Sequence, residues 1–266
     1  IMKKLFLLSL SLSMFFLLKA QDFALKQLES STRHHEWVKI TNGERNVNCF
    51  VVYPEISEKA TIVIVIHENM GLNDWARSFA DQLAAEGFIA VAPDLLSDFA
   101  PGISKTSEFK SADEARNAIY ELKQADVLSN LKAVEDYASK IPAGNGKTAV
   151  IGFCWGGSQC FMFAANNSTI NASLVFYGTA PATKEELSTI STPVFGFYGG
   201  NDARVNSSIP LTDSLMKEVG KTYEYVIYEG AGHGFMRQGD NPSGSEENRN
   251  ARNEAWIRIK KILANL

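Results

Sequence analysis

Thr61-Ile62-Val63-Ile64-Val65-Ile66 is β-branched at every one of its positions. A strand with one face in water alternates apolar and polar residues, whereas an unbroken run of this kind suits a strand covered on both faces of a parallel sheet. The rest of the chain follows from that demand, because both faces then need helices. Asn73 to Glu86 carries Trp75, Phe79, Leu83 and Ala84 at helical spacing and stops at Gly87, a residue suited to a left-handed helix end. Phe88 to Ala92, before Pro93-Asp94, reads as the next strand, and Ser111 to Lys140 as one long helical region ending before Pro142. Lys147 to Gly152, Ala172 to Tyr177, Val194 to Tyr198 and Tyr223 to Tyr228 are further strands separated by helix-length segments. Glu246 to Leu266 closes the chain, with Ala255, Trp256, Ile259, Ile262 and Leu263 forming one apolar face. Alternation of this kind gives right-handed crossovers, hence an α/β fold with a mostly parallel, doubly wound sheet and helices on both faces. Reactive groups then belong at the carboxyl ends of the strands.

Ahead of this core, Trp37 to Ile40 and Val47 to Tyr53 flank the turn signal Asn42-Gly43-Glu44, which predicts an N-terminal β-hairpin. Residues 1–20 read as a secretory signal peptide: Lys3 and Lys4, then the apolar run from Leu5 to Leu18, then Ala20 before a cleavage point at Gln21. That run has 14 residues, short of the roughly 20 that span a bilayer, so removal and export to the periplasm or beyond are expected, with no stable membrane insertion afterwards. Residues 21–266 then form one domain. The charge balance, 26 basic residues against 30 acidic, offers no basic field for nucleic acid. The three cysteines, Cys49, Cys154 and Cys160, fit neither a disulfide framework nor a tetrahedral zinc site, so no metal or cofactor is expected. A monomer acting on a small molecule is expected.

The chemistry-bearing pattern is Gly152-Phe153-Cys154-Trp155-Gly156-Gly157, a cysteine between glycines where a strand passes into a helix. A nucleophile lifted above a sheet by a sharp turn needs residues without side chains two before and two after it, and Gly152 and Gly156 meet that need. The dipole of the following helix favours a thiolate at Cys154. Taken alone, the cysteine is equally compatible with buried packing, which is the role expected of Cys160 on the next helix. Two later glycine-rich loops follow strands: Gly199-Gly200-Asn201-Asp202 and Gly230-Ala231-Gly232-His233-Gly234. Nucleophile, acid and base in this order at successive strand ends is the order of the α/β-hydrolases, in which the acid orients the imidazole and the imidazole relays protons.

The combination resembles the dienelactone hydrolase family over the whole domain, from the hairpin to the last helix. The resemblance implies an α/β-hydrolase that cleaves a carboxylic ester or lactone through a thioester, with triad positions at Cys154, Asp202 and His233. It implies that Glu68, in His67-Glu68-Asn69-Met70-Gly71, contacts the resting thiol and helps raise the thiolate when substrate arrives. Backbone N–H groups of Asn69 and Trp155 are the expected oxyanion donors. The family also holds a substrate carboxylate with two arginines. Arg237 matches one; the other position falls on Asp98, which implies an Arg237–Asp98 charge pair and leaves Arg116 as a candidate replacement cation. The competing reading is an exported binding or accessory protein that retains the fold without turnover.

Overall fold

The β-branched run becomes the centre of the sheet because its alternate side chains find apolar cover in two directions. In the computed structural model, which describes residues 23–266, it forms β3 (Ala60–Ile66), buried at every position. The signal-peptide reading of residues 1–20 lies outside the described residues. Val63 and Val65 pack into one core with Trp75, Phe79, Leu83, Phe153 and Trp256. Ile62, Ile64 and Ile66 pack into the opposite core with Leu131, Val134, Phe161 and Phe163.

The elements follow as β1 (His35–Asn42), β2 (Arg45–Val52), β3, α1 (Asp74–Ala85), β4 (Ile89–Asp94), α2 (Ala112–Glu121), α3 (Gln124–Ala138), β5 (Gly144–Phe153), α4 (Trp155–Asn166) and β6 (Ala172–Phe176). Then come α5 (Lys184–Ser188), β7 (Val194–Gly199), α6 (Ala203–Asn206), α7 (Ile209–Glu218), β8 (Tyr223–Tyr228), α8 (Phe235–Asp240) and α9 (Glu246–Ala264). The eight strands lie in the order β1-β2-β4-β3-β5-β6-β7-β8. β1 and β2 form the antiparallel hairpin, β2 runs antiparallel to β4, and every other neighbouring pair is parallel. Gly43 takes φ 61° in the hairpin turn, the positive value that primed turns require. The α1 helix starts where the Asn73 side chain accepts from the Ala76 N–H. Among the described residues no helix is long and apolar enough to cross a membrane.

The helical region expected over Ser111 to Lys140 is divided into two helices. The backbone turns extended at Leu122 and Lys123, separating α2 from α3. Neither Pro nor Gly stands at the break, so the cause is tertiary. Residues of α3 (Val127, Leu131, Val134) pack on the sheet, whereas those of α2 (Ala115, Ala118, Ile119) cover Leu96, Phe99, Phe109 and Trp155. One straight rod cannot reach both surfaces, and Leu122 at the bend touches both clusters.

Truncating the centre of β3 tests the two-faced core. Ile64→Ala removes a fully buried side chain and is expected to cost about 2–5 kcal/mol, read as a lowered urea midpoint at unchanged slope.

Candidate active site

Five segments bring chemistry to the carboxyl edge of the sheet: the loop after β3, the β5–α4 junction, the end of β6, the loop after β7 and the loop after β8. At the junction Cys154 holds φ 55° and ψ −115°, a conformation ordinary side chains avoid. Its surroundings enforce it. A Cβ on Gly152 would stand 2.0 Å from the Gly156 carbonyl oxygen, and one on Gly156 would stand 2.2 Å from that of His67. The helix can therefore press against both its own strand and β3 only if these two positions are bare. The Cys154 N–H donates to the Phe176 carbonyl at 3.0 Å, anchoring the turn to β6.

The sulfur so presented meets His233, with Sγ 3.1 Å from Nε2. On the far side of the ring, Nδ1 lies 2.5 Å from Oδ2 of Asp202. With Asp202 ionised, Nδ1 carries the proton toward it and Nε2 accepts from the thiol. The histidine loop is held from outside the site: Gln238 donates to the His233 carbonyl at 2.6 Å, and the Gly232 N–H donates to Asn248 of α9 at 2.9 Å. The Tyr177 ring meets the imidazole edge-on at 5.0 Å between centroids.

Glu68 lies beside this chain of contacts but does not hydrogen-bond the sulfur. It is 3% exposed, and its Oε2 accepts from Arg237 Nε at 2.7 Å, while the Tyr177 hydroxyl donates to Oε1 at 3.4 Å. The carboxylate raises the Arg237 pKa further above its ordinary value. Burial, and next the charge of Glu68, push the Cys154 thiol up; the Trp155 N–H, Arg204 and Arg237 pull in the other direction without prevailing. The resting group is thus a thiol. Desolvation thus outweighs the pull of the helix dipole toward thiolate at Cys154.

The two other charge expectations are also corrected. Arg237 pairs with Glu68, not Asp98. Asp98 lies beside the turn end of the β1–β2 hairpin, where it accepts from the Asn46 N–H at 2.9 Å and its side-chain amide at 3.0 Å. Arg116 bonds Asp113 on the exposed surface of α2. Besides Arg237 the cleft is lined by Arg204, two residues after Asp202, whose guanidinium makes no hydrogen bond or ion pair among the described residues. Its nearness in sequence to the acid was the available signal. In the sequence Tyr177 is only the end of a strand. The cleft, about 460 Å³, is lined by Glu68, Asn69, Tyr120, Cys154, Trp155, Tyr177, Arg204, His233 and Arg237, among others. Cys160 is core, its sulfur 3.0 Å from the Ser173 hydroxyl; like Cys49 and Cys154 it is a free thiol.

Strand order, elbow and site loops define an α/β-hydrolase fold. The protein whose crystal structure is described as a putative dienelactone hydrolase from Klebsiella pneumoniae subsp. pneumoniae superposes with a TM-score of 0.77 at 23% identity, over 89% of this chain and all of that one. The profile of the dienelactone hydrolase family matches residues 47–266, and the chain belongs to that family of hydrolases. It is 29% identical over 246 residues to the putative carboxymethylenebutenolidase of Saccharolobus solfataricus, covering 82% of this chain and 93% of the relative. A putative carboxymethylenebutenolidase from Synechocystis is 28% identical over 241 residues, covering 85% and 94%.

If Glu68 helps hold the resting sulfur neutral, Glu68→Gln lowers the Cys154 pKa. The pH midpoint of iodoacetamide alkylation then moves down; a midpoint that stays or rises contradicts this electrostatic assignment.

Proposed function

We propose that the protein cleaves a carboxylic ester or lactone by acyl transfer to Cys154, with His233 as proton relay and Asp202 as its orienting carboxylate. The observation that carries this reading is the continuous contact chain from Sγ through the imidazole to Oδ2, at 3.1 and 2.5 Å, opening on a cleft. Because the resting group is a thiol, His233 Nε2 takes its proton as sulfur attacks the carbonyl carbon. The carbonyl oxygen becomes an oxyanion facing the N–H groups of Asn69 and Trp155. Collapse expels the alkoxide, which takes the proton from His233 and leaves a thioester. Water then attacks that thioester, giving its proton to His233, and the second collapse releases the acid and restores the thiol.

Substrate charge is assigned to Arg204. With Arg237 committed to Glu68 and Asp98 at the hairpin, Arg204 is the cation left free, among the described residues, to meet an anionic group in the cleft. An ester or lactone bearing a carboxylate is therefore the favoured class. The same proposal takes a monomer as the working unit. The lysine-led apolar segment of residues 1–20 supports export. A protein that had only kept the fold would be under no demand to hold Cys154 in a strained backbone conformation facing His233.

Cys154→Ala is expected to abolish hydrolysis of p-nitrophenyl acetate while leaving the melting temperature within a few degrees of the parent; turnover that survives the change defeats the reading. Arg204→Ala is expected to lower kcat/KM for a carboxylate-bearing ester roughly 10- to 100-fold, the worth of one charge-assisted bond. Neutral esters should change little, and equal losses on both would remove Arg204 from substrate selection.

A further inference from the structure

His67 belongs to neither the contact chain nor the cleft lining, yet it is fully buried at the end of β3 with both ring nitrogens engaged. The Leu95 N–H, at the start of the loop after β4, points at Nε2 from 3.3 Å. A backbone N–H only donates, so Nε2 accepts and the ring proton resides on Nδ1. Nδ1 lies 2.7 Å from the Glu68 carbonyl oxygen and therefore donates to it. Burial lowers the His67 pKa to about 4, which keeps this neutral tautomer in place at ordinary pH. One face of the ring stacks on Trp155, with 5.6 Å between centroids and 12° between planes.

The Glu68 carbonyl and the Asn69 N–H are two ends of one planar peptide. No cis peptide is present among the described residues, so that unit is trans and its C=O and N–H point in opposite directions. Fixing the carbonyl toward the buried imidazole thus aims the Asn69 N–H away from it. That N–H has no acceptor among the described residues, and Asn69 lines the cleft beside Cys154. The same imidazole stacks on the residue that supplies the other oxyanion N–H.

We infer that His67 is the positioning residue of the oxyanion site: its Nδ1–H holds the 68–69 peptide so that the Asn69 N–H faces the developing negative charge. This rests on the acyl-transfer reading given above. Without the bond the peptide is free to rotate, and a donor worth about a hundredfold or more in turnover is misdirected. Because the donor acts on the transition state, kcat and kcat/KM fall together and KM stays nearly constant.

Three variants separate hydrogen bond from packing. His67→Phe keeps a ring against Trp155 and loses the donor. His67→Gln places its amide near the former Nε2, where it accepts from Leu95 but does not reach Glu68; it also serves if the Phe variant is insoluble. His67→Asn loses the ring and retains an N–H at the Nδ1 position. For p-nitrophenyl acetate, the Phe and Gln variants are expected to lose about a hundredfold in kcat with KM little changed, and the Asn variant to recover most of that loss. Alkylation of Cys154 by iodoacetamide creates no oxyanion, so its rate should match the parent in all three. A kcat loss below about threefold, an Asn variant as slow as the Gln variant, or alkylation that falls in step with kcat overturns the inference. Turnover surviving in Cys154→Ala instead defeats the underlying catalytic scheme, so the two failures are told apart.

Discussion

The site depends on how closely the α4 helix is allowed to approach the sheet. Backbone meets backbone at Gly152, Gly156 and Gly157, where a methyl group would lie 2.0 to 2.4 Å from a carbonyl oxygen of the helix itself, of His67 just after β3, or of β6. That approach makes the chain reverse sharply at Cys154, whose dihedral angles cost on the order of 1–3 kcal/mol. The strain is held by the packing beneath it. Phe153 points into the core against Trp75, Phe79 and Phe176, while Cys154, one residue later, turns outward. A looser contact would let the sulfur drop back toward the sheet and away from His233.

Around this strained point the charges are arranged in opposition. Glu68 and Arg237 neutralise each other within the cleft, yet Glu68 still acts on the sulfur and, with burial, holds it as a thiol. Oxidation begins with a thiolate, so a neutral resting thiol is less exposed to damage than a permanently ionised one. In the proposed reaction, nucleophilicity is supplied only when His233 removes the proton, an event tied to the attack itself. Tyr177 connects the two parts of the site, with its hydroxyl on Glu68 and its ring against His233.

The limits of sequence reasoning lie where distant segments meet. The region over 111–140 reads as helical throughout, and its division at Leu122 follows from two apolar surfaces that no local pattern reveals. Placing Asp98 against Arg237 assumed that one aligned position faces another, whereas Asp98 instead caps Asn46 of the hairpin. The raised Cys154 pKa was equally hidden, since the helix dipole is local and desolvation depends on everything packed around the sulfur.

By itself the chain's pattern determined the layered sheet, because six successive β-branched residues must be covered on both faces. It also determined the elbow, because glycines on either side of a cysteine after a strand signal a turn that only bare positions permit. The order of Cys154, Asp202 and His233 at successive strand ends was legible for the same reason: parallel crossovers deliver every such end to one edge. Only the tertiary structure decided which charges face each other, which cleft arginine is left unpaired among the described residues, and that a buried imidazole holds the Glu68–Asn69 peptide. Those are distances between segments far apart in the chain, and they are set by how the helices and loops pack across the sheet edge.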